Sequence, residues 1–138
     1  MKIVVSACLL GENCKYNGGN NYSGKVAQFV KGREVIPVCP ERLAGLGIPR
    51  TPIEIRGDRV MDRDGKDVTA VLQEAVRSIL AQLALEDVQC VVLKSRSPTC
   101  GVRQVYDGTF TGTLVDGMGT LAKALADAGY EVLDAEDI

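Results

Sequence analysis

Three cysteines stand just beyond three separate apolar runs, in a chain with no histidine. Cys8 closes on KIVVSA, Cys39 follows EVIPV, and Cys100 lies in the loop after VQCVVL. Two more, Cys14 and Cys90, sit in a polar loop and inside an apolar run, respectively. The absence of histidine excludes a Ser–His–Asp triad, the HExxH zinc site and the histidine-containing deaminase motif. Proton transfer is left to Glu, Asp, Lys, Tyr, Cys or water. Five cysteines, an odd number, are widely spread without a CxxC. This does not resemble a secreted disulfide framework, a zinc ribbon or a thioredoxin-type motif.

Three thiolates without histidine suggest two kinds of guest. Structural zinc usually takes four protein ligands. A [4Fe–4S] cluster normally takes four cysteines, so three would leave one iron open to an exogenous ligand. An open metal position can bind substrate as a Lewis acid. Polar residues crowd the same segments: Glu41 after Cys39-Pro40, and Lys94, Ser95, Arg96 and Ser97 before Pro98-Thr99-Cys100. Glu41 and Lys94 could move protons, and Ser97 could hydrogen-bond a substrate. The plainer alternative makes each cysteine a small buried hydrophobe. It suits Cys90, which lies between Val88 and Val91-Val92. Cys14 stays open between ligand, neighbouring thiol and idle residue. Asp62, Arg63 and Asp64, and the RDG and YDG triplets, read as turns.

The elements that must position these groups alternate between strand and helix. Residues 2–7, 34–38, 88–93 and 130–134 read as short β-branched strands. Residues 25–31, 67–86 and 118–128 read as helices, with Ser23 and Asp67 as N-caps. Pro37 inside the second strand removes a ladder donor. IEIRGDRVMDRDG reads as a hairpin turning at Gly57-Asp58, and VYDGTFTGTLV as one turning near Asp107-Gly108. The expectation is an α/β fold: a three-layer sandwich, Rossmann-like or flavodoxin-like, in one domain spanning 1–138. Its central sheet would be mainly parallel and four-stranded, ordered 2-1-3-4, with small β-hairpins added. Ligands bind such sheets at the carboxyl ends of the strands. Adjacent strand ends lie about 4.8 Å apart, so Cys8, Cys39 and Cys100 would meet on one edge.

Composition narrows the partners. The chain has 138 residues, 46% hydrophobic, 4% aromatic and without Trp, so its core must be aliphatic. Net charge is −2 with no basic run, which offers no dedicated nucleic-acid surface. No stretch reaches transmembrane length. The apolar run before Cys8 covers about five residues, short of the roughly 7–15 of a signal peptide. A cytoplasmic protein with reduced thiols is expected, and nothing in the sequence sets an oligomeric state.

SACLLGENCKYNGG, PVCPE and LKSRSPTCG, in that order, resemble a family of small bacterial proteins long catalogued as a domain of unknown function. That family includes the 2-thiouracil desulfidases. The resemblance extends through GKDVT, VYDGTFTG and the C-terminal helix–strand unit. It implies a [4Fe–4S] cluster held by three cysteines, and a thiolated pyrimidine whose sulfur is captured by the unique iron and replaced by water. By motif, Cys8, Cys39 and Cys100 would be the ligands. Glu41 and Ser97, with Lys94, would fall at catalytic positions, and Tyr16 and Ser95 at substrate-binding ones. The chain departs from the family where Lys15-Tyr16-Asn17-Gly18 replaces Arg-Tyr-Asp-Gly. Thr99 stands where Ser is usual, and GLGIPR where Gly-Leu-Pro-Thr-Pro-Arg is. Three hypotheses follow: a cluster-dependent desulfidase, a non-enzymatic iron–sulfur or thiol redox sensor, and an α/β protein with incidental cysteines. Glu41 and the polar SRSP loop favour the first, because a sensor needs no general acid–base group.

Overall fold

The structure, a computed structural model, describes residues Met1–Ile138. Four strands, β1 (Lys2–Ser6), β2 (Glu34–Val38), β5 (Val88–Leu93) and β8 (Val132–Asp134), form a parallel sheet in the order β2-β1-β5-β8. This is the order expected from sequence. Two antiparallel hairpins complete the strand set: β3 (Ile53–Arg56) with β4 (Arg59–Asp62), and β6 (Gln104–Tyr106) with β7 (Leu114–Asp116). The helices are α1 (Gly24–Phe29), α2 (Pro40–Leu43), α3 (Thr69–Leu83) and α4 (Thr120–Asp127).

The period-2 alternation of the strands sorts side chains onto two faces. Ile3, Val5, Cys90 and Val92 pack with Leu9, Val26 and Val30 on one side. Val4, Val38, Val91 and Leu93 pack with α3 and α4 on the other, through Val76, Ile79, Leu83, Leu121 and Leu125. The sheet is therefore the middle of three layers. Each large aliphatic side chain buried there contributes about 1.5–3 kcal/mol. β2 lies at the sheet edge and pairs only with β1, so Pro37 sits where a missing donor is tolerated.

Several boundaries differ from the sequence reading. α3 begins at Thr69 rather than at 67 and ends at Leu83. Asp67 still caps it in effect, since its carboxylate accepts from the Thr69 N–H at 2.9 Å. Ser23 caps α1 as expected, accepting from Val26 at 3.2 Å. α2 was not expected, because four residues carry no readable period. The β6–β7 connection is the whole of residues 107–113, not a tight turn at 107–108. No helix is long and apolar enough to cross a membrane.

Candidate active site

Each cysteine-bearing segment begins where a strand stops. After β1 the chain enters a 3₁₀ turn, Ala7–Leu10, that carries Cys8. The returning loop is held there by Asn21 and Ser23, whose N–H groups donate to the Cys8 and Leu9 carbonyls at 3.0 Å each. After β2, Cys39 is the extended N-cap residue of α2, with Pro40 at the first helical position and Glu41 in the first turn. Proline is suited to that position because its missing N–H would be unpaired anyway. Cys39 and Glu41 are thus held in one rigid turn.

After β5, residues 94–100 wrap back onto the start of α4. The Ser97 hydroxyl accepts from the N–H groups of Thr99 (3.2 Å) and Cys100 (3.1 Å). The Thr99 carbonyl accepts from Leu121 (2.8 Å) and Ala122 (3.1 Å), satisfying donors that the helix itself leaves free. Gly119 makes this contact feasible: a Cβ there would lie 2.4 Å from the Thr99 carbonyl carbon and 2.7 Å from the Cys100 nitrogen. Cys100 is set in place by backbone packing rather than by its own side chain.

The three segments border one cavity of about 520 Å³ at the carboxyl edge of the sheet. Cys8, Cys39 and Cys100 all line it, as do Glu41, Lys94, Ser95, Ser97 and Tyr16. The residues expected from sequence to ligate, catalyse or bind substrate therefore all border the same space. Cys90 does not; it is buried among Ile3, Val5 and Val92. Cys14, left open above, is buried and lines the cavity beside Cys39 and Cys8.

Three of the cavity thiols, Cys8, Cys14 and Cys100, are desolvated. Burial pushes the Cys100 thiol up to about 12, against hydrogen bonds to its sulfur from the Ser6 and Thr99 hydroxyls. Burial, and then the neighbouring Cys39 sulfur, push Cys14 up to about 12. Cys8 is also raised by burial, opposed by Asn21 and by the charge of Lys94. A metal guest must displace these protons, and the cations around the cavity help it do so.

Glu41 faces a hydroxyl chain. Its Oε2 lies 3.5 Å from the Thr99 hydroxyl and 3.8 Å from Arg50 Nη2. Thr99 Oγ1 in turn is 3.2 Å from Ser97 Oγ. Burial raises the Glu41 carboxyl above its ordinary value, and Arg50 and Thr99 only partly oppose this. Lys94 Nζ donates to the Ser95 carbonyl at 3.0 Å. The Ser95 hydroxyl donates to the buried Asp134 carboxylate, so it faces the cavity with lone pairs rather than with a free donor. Tyr16 lies at the rim, 42% exposed, with the Lys15 ammonium over its ring.

Several lining residues escaped sequence reading. Arg50 donates to the carbonyls of Cys14 (2.8 Å) and Gly47 (3.0 Å), and its backbone N–H donates to Tyr16 (2.7 Å). Its Nε is buried without a partner. Arg63, read only as a turn residue, borders the cavity too. So do Glu54 from β3, and Tyr106 and Phe110 from the β6–β7 hairpin. Arg96 and Phe110 are the two non-glycine residues with positive φ, +63° and +58°, and both line this cavity. For residues of this size the left-handed region costs about 1–2 kcal/mol.

No group of three or more Cys, Asp or Glu side chains converges on a single point. The donor set is nevertheless all sulfur, and soft thiolates select iron–sulfur clusters. The ligands of a cluster sit on different irons and so need not converge on one point. Lys15, Arg50, Arg63, Lys94 and Arg96 against Glu41 and Glu54 make the lining cationic, which suits a negatively charged thiolate-bound cluster. The residues present fit that group.

The family model described as 2-thiouracil desulfurase matches residues 3–137. The chain belongs to that family. A protein of Bacillus subtilis (strain 168), YbbK, itself uncharacterized, is 35% identical over 146 residues, covering 99% of this chain and 97% of its own. Among solved structures, the [4Fe-4S]-dependent thiouracil desulfidase TudS superposes with a TM-score of 0.90 at 34% identity, over 99% of this chain and 92% of that one.

Proposed function

We propose that this protein removes sulfur from a thiolated pyrimidine such as 2-thiouracil, with a [4Fe–4S] cluster held by Cys8, Cys39 and Cys100. The observation that carries the reading is the meeting of three strand-end thiols and a buried carboxyl at one cavity. The name of the structural relative, a thiouracil desulfidase dependent on such a cluster, supports it. In the reaction, water adds to the ring carbon, a C–O bond forms, the C–S bond breaks, and sulfide leaves. No electrons are exchanged overall. When bound, the cluster supplies a soft Lewis-acidic iron for the thiocarbonyl sulfur.

The chain's own groups supply the rest. Glu41 is the base: Oε2 is turned to Arg50 and Thr99, which leaves Oε1 to take a proton from water. Ser97, its oxygen already accepting from two backbone N–H groups, has its hydroxyl hydrogen to donate to the heterocycle. Lys94 lends positive charge near Cys8 and balances departing sulfide. Tyr16 and Ser95 border the substrate from the rim and the floor. Redox-sensor cysteines are accessible, low-pKa thiols, whereas Cys100 is buried and burial raises both Cys8 and Cys100, which favours the desulfidase reading over the sensor one.

The test is single-turnover sulfide release from 2-thiouracil, with iron quantified in the same sample. Glu41→Gln is expected to keep its iron and lose about 100- to 10,000-fold in rate, the range for general-base removal. Wild-type release by this variant would remove Glu41 as the base.

A further inference from the structure

Only six residues of the chain are aromatic, and three of them, Tyr16, Tyr106 and Phe110, line the cavity. A chain that builds its core from aliphatic side chains has concentrated its flat rings at one site. Of the three, Phe110 is held in the most unusual way. It sits at φ +58°, a region that Gly or Asn would occupy more readily. Two hydrogen bonds keep it there: the N–H groups of Gly108 (2.9 Å) and Phe110 (3.2 Å) both donate to Glu54 Oε1 on the other hairpin. Gly108 is pressed onto that hairpin too, since a Cβ there would lie 2.7 Å from the Ile55 carbonyl oxygen. A bulky residue kept at a strained position by a dedicated clamp points to a role for its side chain. Tyr16 is mostly a rim residue, and Tyr106 belongs to the regular β6–β7 ladder.

We propose that the Phe110 ring is the platform on which the planar heterocycle of the substrate stacks, and that Glu54 is the positioning residue that sets it. The proposal deepens the thiopyrimidine reading and rests on it for the identity of the ring. Stacking on an aromatic face is tolerant of ring substituents. It would hold the heterocycle flat, while the polar groups around Glu41 and Ser97 act on one edge.

The experiment measures binding of uracil and of 5,6-dihydrouracil, which is not a planar aromatic ring, to the iron-loaded full-length protein by calorimetry. Wild type is expected to prefer uracil. Phe110→Gly is expected to bind uracil on the order of ten- to a hundred-fold more weakly and to lose that preference. Its thermal midpoint should match or exceed that of wild type, because glycine adopts positive φ without strain. Phe110→Tyr should restore binding. Glu54→Ala should weaken uracil binding with the ring still present, and Glu54→Gln, which keeps an acceptor oxygen, should recover most of it. Uracil binding by Phe110→Gly equal to that of wild type overturns the proposal, as does equal weakening for both ligands, or a wild type that binds neither. Sulfide release from 2-thiouracil separates the two readings. A wild type that binds uracil through Phe110 but releases no sulfide sinks the desulfidase reading and leaves the platform standing. A wild type that releases sulfide, with Phe110→Gly unchanged in KM, does the reverse.

Discussion

Replacing Arg50 with Met removes a buried tie between three parts of the site while keeping an apolar stem of similar length. The side chain is 5% exposed, but its bond to the Gly47 carbonyl is solvent-exposed and is discounted accordingly. Two bonds are lost, to the carbonyls of Cys14 (2.8 Å) and Gly47 (3.0 Å). The bond to Cys14, from a charged donor, is worth about 1.5–3 kcal/mol and the exposed one to Gly47 about 0.5–1.5, which gives about 2–4.5 kcal/mol. Against this, the unpartnered Nε disappears, returning about 1–3 kcal/mol. The 3.8 Å pairing with Glu41 is too long to add a strong bond. The expected net loss is about 1–2 kcal/mol, a measurable share of the roughly 5–15 kcal/mol of a typical domain.

The assay is urea unfolding of the cluster-free chain, with iron uptake measured separately on each variant. Arg50→Met should unfold at lower denaturant with an unchanged slope, and should take up less iron because the Cys14 loop is released. Arg50→Lys should recover only part of the stability, since one ammonium cannot reach both carbonyls in the same fork geometry. A change below about 0.5 kcal/mol for Arg50→Met, or full recovery by lysine, would refute the argument that the guanidinium holds this corner together.

Two further substitutions separate structure from chemistry. Cys90→Ala, away from the cavity and packed on Ile3, Val5 and Val92, should cost about 1 kcal/mol and leave reconstituted iron content unchanged; a large loss of iron with the fold intact would contradict its placement. Asp67→Asn should remove an acid-sensitive part of stability. The Asp67 carboxylate accepts from Thr69 and from Arg59, which lowers its pKa to about 2 from 3.8. A depressed carboxylate stabilises the fold above its unfolded value and loses that contribution as pH falls through the folded one. The difference between wild type and Asp67→Asn should therefore be constant above about pH 5 and shrink between about pH 4 and 2, as followed by thermal midpoints across pH.

The central strands were legible because a parallel strand covered on both faces must be a short, nearly unbroken run of β-branched residues. KIVVS and VQCVVL are such runs, while EVIPV, the half-exposed edge strand, reads as a strand despite its proline. The order 2-1-3-4 is not fixed by any local pattern; given that order, the meeting of Cys8, Cys39 and Cys100 follows from topology, although 92 positions separate the first from the last. Other features depend on partners that no local pattern names. Cys14 reads as a polar-loop residue and is buried because Arg50, 36 positions away, ties its carbonyl. The 107–113 segment reads as a tight turn and is a longer loop because Glu54 of another hairpin accepts two of its N–H groups. Thr99 reads as a conservative replacement and proves to bridge Ser97 and Glu41. Phe110 had a signal that went unused: with so few aromatic residues in the chain, each one outside the core asks for an explanation.

The cavity is built from two kinds of structure, and this division has consequences. Its thiol side consists of strand ends fixed by a buried sheet, by the first turn of α2 and by the packing of Gly119 on Thr99. Its other side consists of two small hairpins joined through Glu54, with short strands of three or four residues each. Two-stranded hairpins are marginal alone; β3–β4 is docked on α3 through Ile53, Val60, Val68 and Leu72, and β6–β7 on β3–β4 through Glu54. Changes on the sheet side should therefore act on iron retention and global stability together. Changes at the cavity-facing residues of the β6–β7 loop should act on ligand affinity while leaving iron and unfolding nearly untouched. A fold arranged this way can vary what it binds by altering hairpin residues such as Phe110, Tyr106 and Arg63 without disturbing the thiols.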